Sequence, residues 1–307
     1  MKTIATFVSL ACVLLPGSLW SQMDTESLQH QVPLPSGDLV DMVMIPAGSF
    51  PRGTENEEFD EQPVRMIYLD DYLIDKYEVT RGQWQKYQDD TGFVLAEWTL
   101  QSSSSKADHP IAFVTWFDAN GFCEWAGKRL PTESEWERAA RCDDGRKYPW
   151  GPGLDERRAN FFGSNDPFDL GVGNILQTTP VGYFDGSIRD GYQTRSGASP
   201  FGVHDLVGNV WEWTNDWYHS SYYADGPAEN PQGPENGVVK SVRGGSYAVD
   251  ASHVRPTYRA RDDPLLKGPE VGFRCAADMN VTAVTPTSWA NVKAPAAAKA
   301  DHEDRRR

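Results

Sequence analysis

Residues 125–137 read Trp-Ala-Gly-Lys-Arg-Leu-Pro-Thr-Glu-Ser-Glu-Trp-Glu. Gly127 closes a helix, because the residue after a last turn favours a left-handed backbone that glycine adopts freely. Thr132 opens the next one. In a capping box its hydroxyl accepts from the Glu135 amide, and the Glu135 side chain reaches back to the Thr132 amide. Trp136, Ala139 and Ala140 then form that helix's buried face. The same box occurs upstream in Thr80-Arg81-Gly82-Gln83, ahead of Trp84, Tyr87 and Gln88. Between the two boxes, Asp118 is read as opening a helix with Ala119, Phe122, Cys123 and Ala126 at i, i+3, i+4, i+7 spacing.

Outside these helices the pattern is short and broken. Strands are expected at 42–45, 64–69, 72–79, 241–244 and 272–276, each bounded by turn residues. From 142 to about 200 the chain is rich in Gly, Asn and Asp. A loop of that length is either functional or fastened by a ligand. With 27 Gly and 21 Pro the chain is not a helical bundle. Short strands and capped helices together predict an α+β fold with little regular secondary structure.

The formal charge of -15, with no cluster of Lys and Arg along the folded stretch, argues against binding a phosphate backbone. Lys2, the apolar run 4–16 and the small residues Ser18 and Ser21 give residues 1–21 the form of a cleavable signal peptide. That run is too short to span a bilayer, so the expected location is periplasmic or secreted. Residues 22–40 read as a polar linker and 279–307 as a disordered low-complexity tail. Three cysteines follow the signal: Cys123, Cys142 and Cys275. Two can pair in an oxidising compartment, and spacing alone does not select them.

Six ordered segments carry a resemblance. They are Met44-Ile45-Pro46-Ala47-Gly48-Ser49-Phe50, Tyr77-Glu78-Val79-Thr80 and the run from His109-Pro110 to Glu137. Gly208-Asn209-Val210-Trp211-Glu212-Trp213, Arg243-Gly244-Gly245-Ser246-Tyr247 and Gly272-Phe273-Arg274-Cys275-Ala276 complete the set. Over residues 41–278 the chain resembles the formylglycine-generating enzyme, or sulfatase-modifying factor, family. The resemblance implies a fold related to C-type lectin domains, with calcium fastening the loops. It also implies a disulfide between Cys123 and Cys275, leaving Cys142 as a free thiol.

The departure from the family matters as much. Active members bind copper through two cysteines five residues apart; the matching positions hold Val249 and Val254. Valine offers no lone pair, and soft Cu(I) requires thiolate. No copper is expected, and no catalytic residue is assigned. Ser246 and Trp211 match other pocket residues of the family, and His253 lies inside the former catalytic segment. Calcium is expected at Asp205, Gly208, Val210 and Glu212, a mix of carboxylates and carbonyls that suits a hard cation. A further site is expected near Asn160, with Asp166 and Asp169 as weaker candidates.

Two functions follow. The first is a periplasmic binding or regulatory module resembling TagR, upstream of a threonine-kinase pathway controlling type VI secretion. Its expected partner is a protein of the cell envelope, such as the periplasmic domain of a sensor kinase. The alternative is a PvdO-type periplasmic oxidoreductase acting in siderophore chromophore maturation.

Overall fold

Three threonines start the three longest helices. Thr80, Thr115 and Thr132 each accept from the amide three residues on, and Gln83, Asp118 and Glu135 return the bond to the cap amide. Each cap contributes about 1 kcal/mol. The computed structural model describes residues 25–94, 106–169, 177–189 and 191–279. The signal segment 1–21 and the tail beyond 279 lie outside the described residues.

The strands are β1 (Gln29–Pro33), β2 (Leu39–Ile45), β3 (Gly48–Arg52), β4 (Arg65–Leu69) and β5 (Tyr72–Asp75). The helices α1 (Arg81–Thr91), α2 (Trp116–Trp125) and α3 (Glu133–Arg141) follow. Then come β6 (Ile188–Arg189), β7 (Tyr192–Gln193), β8 (Trp211–Trp217), α4 (Tyr222–Asp225) and β9 (Lys240–Arg243). The last strands are β10 (Ala260–Asp262), β11 (Val271–Gly272) and β12 (Ala276–Asp278). One antiparallel sheet runs β1-β2-β5-β12. A second runs β10-β9-β8-β11, with β11 parallel to β8. The fold is α+β, as expected.

Two cores flank the helices. Trp84 stacks on Phe122 at 5.7 Å beside Tyr87, Trp125 and Phe273, and the Cys123–Cys275 disulfide lies in this cluster. The other core sets Trp136, Ala139 and Ala140 of α3 against Val43, Ile45, Phe50, Ile67 and Ile74. Every residue of α3 is buried, charged ones included. Glu133 is bound by Arg243 at 2.9 Å and by Arg259 at 2.8 Å, and Glu137 by Arg141 at 2.6 Å and Arg243 at 3.0 Å. A helix that reads as amphipathic therefore has its charged side turned into an internal ion network rather than to water.

Several boundaries differ from expectation. The segment 22–40 is not merely a linker: β1 lies within it, and Leu28 and Leu34 at its ends enter the two cores. Its pattern hides this because Val32 is the one apolar side chain buried in an edge strand. Helix α2 begins at Trp116, with Asp118 in the third position of a capping box rather than at its start. The stretch 272–276 splits between β11 and β12. Strand β8 was not anticipated, since its alternating Trp, Glu and Thr have both faces buried.

Asp216 gives a prediction about pH. Its Oδ2 accepts from the Glu133 amide at 2.8 Å, while Oδ1 is buried with no partner among the described residues. Burial, and then the Glu133 charge, push its pKa up to about 7. An acid raised in this way stabilises the fold fully below its unfolded value, and that contribution is lost as pH climbs through the folded value. Asp216→Asn is therefore expected to melt above wild type at pH 8, by on the order of 2 kcal/mol, with a smaller gain at pH 5. Thermal melts at both values check it; an equal effect at both would refute it.

Candidate functional site

The turn before β8 is the junction of the molecule. Asp205, Gly208 and Asn209 have φ of 59°, 75° and 63°. A Cβ on Gly208 would lie 2.0 Å from the Asn160 carbonyl oxygen, so only glycine fits that crossing. The Gly208 amide donates to Gly244 O at 2.8 Å, and the Asn209 amide to Asn160 O at 2.8 Å. Asn209 Nδ2 donates to Glu78 Oε2 at 2.6 Å, and the Val210 amide to Glu78 Oε1 at 3.2 Å. Three separated segments are thus tied to residues 208–210.

Three buried carboxylates gather here around one guanidinium. Arg274 grips Glu212 with Nε to Oε2 at 2.6 Å and Nη2 to Oε1 at 2.7 Å, and Trp136 Nε1 donates to Oε2 at 2.9 Å. Asp205 Oδ2 accepts from the Gly182 amide at 2.6 Å. Burial raises Asp205 to about 6. Burial, then the charges of Asp205 and Glu212, raise Glu78 well above the carboxylate range. One arginine does not balance three carboxylates, so the ionised cluster is short of positive charge.

The fit of this cluster to a hard cation is mixed. Asn160 Oδ1 is buried without a partner among the described residues, and its backbone adjoins Gly208. That orphaned oxygen and the excess negative charge suit calcium. Against this, both Glu212 oxygens are engaged by Arg274, and among the described residues no three His, Cys, Asp or Glu side chains are grouped to hold a metal. A cation here depends on amide and carbonyl oxygens beside Asp205. Asp166 and Asp169 are instead spent on their own turn, accepting from Ser164, Phe168, Gly163 and Asn165.

The segment after β9 forms the second half of the site. Gly245, at φ 80°, abuts Val254, whose Cγ1 lies 2.6 Å from where a Gly245 Cβ would stand. Val254 is fully buried with Tyr148, Phe161 and Val207, and half-buried Val249 joins the same cluster. The Ser246 hydroxyl donates to Glu270. Trp211 faces Tyr258 at 6.0 Å, and the half-exposed His253 meets Tyr258 at 5.0 Å with its Nδ1 3.0 Å from Asp250. The expected pocket residues are thus neighbours, linked through Tyr258 and the valine cluster.

Residues 29–279 match the sulfatase-modifying factor enzyme 1-like domain. The chain belongs to the sulfatase-modifying factor family. It is 32% identical to the formylglycine-generating enzyme of Thermomonospora curvata, across 77% of this chain and 93% of that one. It is also 33% identical to serine/threonine-protein kinase pkn1 of Chlamydia pneumoniae, across 82% of this chain and 40% of that one. The chain therefore spans about two fifths of the length of the pkn1 relatives it matches. Among solved structures, PvdO from Pseudomonas aeruginosa is similar with a TM-score of 0.67 at 26% identity, covering 81% of this chain and 98% of that one.

Within this family frame, the cysteine pairing drawn from the resemblance is present, and Cys142 is free but buried, its thiol pushed up to about 12 by burial. Such a thiol is inert rather than reactive. His109 is buried and His204 half-buried, and desolvation holds both down to about 4, as in packed structural histidines. Sequence reasoning passed over Glu78, Arg274 and Glu270. The first two sit in segments already quoted for the family, yet nothing in local sequence says that their charges meet. Arg274→Met is expected to cost about 3–5 kcal/mol in urea denaturation, because it leaves buried carboxylates without a counter-charge. A loss below about 1 kcal/mol would show that the cluster is already neutralised by protons.

Proposed function

We propose that the chain is a non-catalytic recognition module of the cell envelope, similar to TagR and acting upstream of a threonine-kinase pathway that controls type VI secretion. One observation carries the reading: Val249 and Val254, at the positions where active members hold copper, are packed into an apolar cluster. A thiolate pair there is replaced by hydrocarbon, and oxygen activation through copper has no ligand. The Cys123–Cys275 disulfide supports export to an oxidising compartment. Similarity to kinases named pkn1 supports a kinase-linked context for the partner, a protein of the envelope. Purified protein incubated in air with copper and a cysteine-bearing sulfatase peptide is expected to leave the peptide mass unchanged. Conversion of that cysteine to an aldehyde would overturn the proposal.

Calcium is part of this reading. Asp205, Asn160 and the carbonyls of Gly208 and Val210 would hold it, and it would relieve the charge excess next to Glu212. At 100-fold over its dissociation constant such a ligand adds about 2.7 kcal/mol. At pH 7.5 the melting temperature is expected to rise with calcium and fall with chelator. The difference should shrink at pH 5, where Asp205, raised to about 6, takes up a proton instead. Melting curves indifferent to calcium at both pH values would remove the site.

A second reading, a PvdO-type oxidoreductase of siderophore maturation, draws on the likeness to PvdO along nearly its whole length. Metal analysis separates the two: calcium alone favours recognition, and stoichiometric iron or copper favours oxidation.

A further inference from the structure

Away from the valine cluster's buried end lies a cleft of about 500 Å³ whose walls include Trp150, Asp155, Arg157, Arg158 and Arg195. Residues 157–158 and 195 are far apart in sequence but are joined by the Arg195 amide, which donates to Arg157 O at 2.7 Å. The cleft thus gathers three arginines against two acids in a chain of net charge -15. Its floor is prepared. Trp150 stacks on Tyr148 at 5.7 Å with 7° between planes, and its Nε1 donates to Gly153 O at 2.8 Å, fixing the indole. The Arg158 guanidinium stands 5.8 Å over that ring.

Asp155 is the one carboxylate holding this set in place. Its Oδ2 takes Arg158 Nε at 3.0 Å and Arg195 Nη1 at 2.9 Å, and Oδ1 accepts the Arg157 amide at 3.1 Å. A single anion therefore orients two guanidiniums, and the exposed Arg157 side chain has no charge partner among the described residues. Guanidinium forks match oxyanions bidentately, and a dianion satisfies more than one fork where a monoanion does not.

We infer that this cleft binds a phosphate monoester carried on a small ring-bearing molecule, with the phosphate on Arg157 and Arg195 and the ring against Trp150. The cleft backs onto the valine cluster, against which Trp150 and Leu154 pack, and the inference does not depend on the regulatory reading.

Calorimetric titration of the full protein with glucose 6-phosphate, inorganic phosphate and glucose tests it. Saturable binding is expected for glucose 6-phosphate, weaker binding for inorganic phosphate and none for glucose. Arg195→Gln and the exposed Arg157→Gln should each weaken the sugar phosphate by about tenfold, the loss of one charged hydrogen-bonded pair. Asp155→Asn keeps the acceptor for the Arg157 amide while releasing Arg158 and Arg195, and should tighten binding. No saturable heat with either phosphate compound, equal binding of glucose, or arginine variants that bind like wild type would each overturn the inference. Equal affinity for inorganic phosphate and the sugar phosphate would overturn the role of Trp150.

Discussion

Arg274 joins more of this molecule than any apolar contact described above. Its guanidinium holds both oxygens of Glu212 on β8 and also donates to the carbonyls of Asp75, Lys76 and His204. Glu212 in turn accepts from Trp136 of α3. The end of β5, the loop before the Gly208 turn, the central strand of the second sheet and the buried helix therefore meet on one fully buried ion pair. A pair in such a place is costly to desolvate and is retained only when its remaining bonds are satisfied. Here they are. Because the backbone carbonyls are claimed in this way, the loops need not form regular elements to be fixed.

The same logic recurs one layer away, where Glu133 and Glu137 meet Arg243 and Arg259. Arg243 lies just before Gly244 and Gly245, and the tight turn those glycines allow sets Ser246 beside Glu270 and presses the backbone onto Val254. The pocket is thus shaped from behind by charge pairing. This explains how the scaffold persists with hydrocarbon at the thiolate positions: Val254 packs with Tyr148, Phe161 and Val207 and needs no metal to be held.

Much of the fold was legible because its signals are local. Two capping boxes announced α1 and α3 to the residue, and the missed start of α2 came from Asp118 standing in the box where Glu or Gln is commoner. Strand β1 was lost because one buried valine carries no period, and β8 because burial on both faces erases alternation. In the site, Gly208, Trp211, Glu212 and Ser246 lie within the ordered motifs, and Asp205 stands three residues before one of them. Glu78 and Arg274 were not, since their meeting depends on positions 78, 212 and 274 converging across the sheets. The partners of the charges on α3 are hidden from the sequence for the same reason. Sequence periodicity reports which side is apolar, not whether the polar side finds partners indoors.

What the account rests on most is the filling of two metal-binding positions with valine. Anaerobic titration of the purified protein with Cu(I), against a competing chelator, addresses it directly. The chelator should keep all of the copper. One equivalent held firmly by the protein against that competition would mean that the scaffold retains a copper site by other ligands, and the recognition reading would fail.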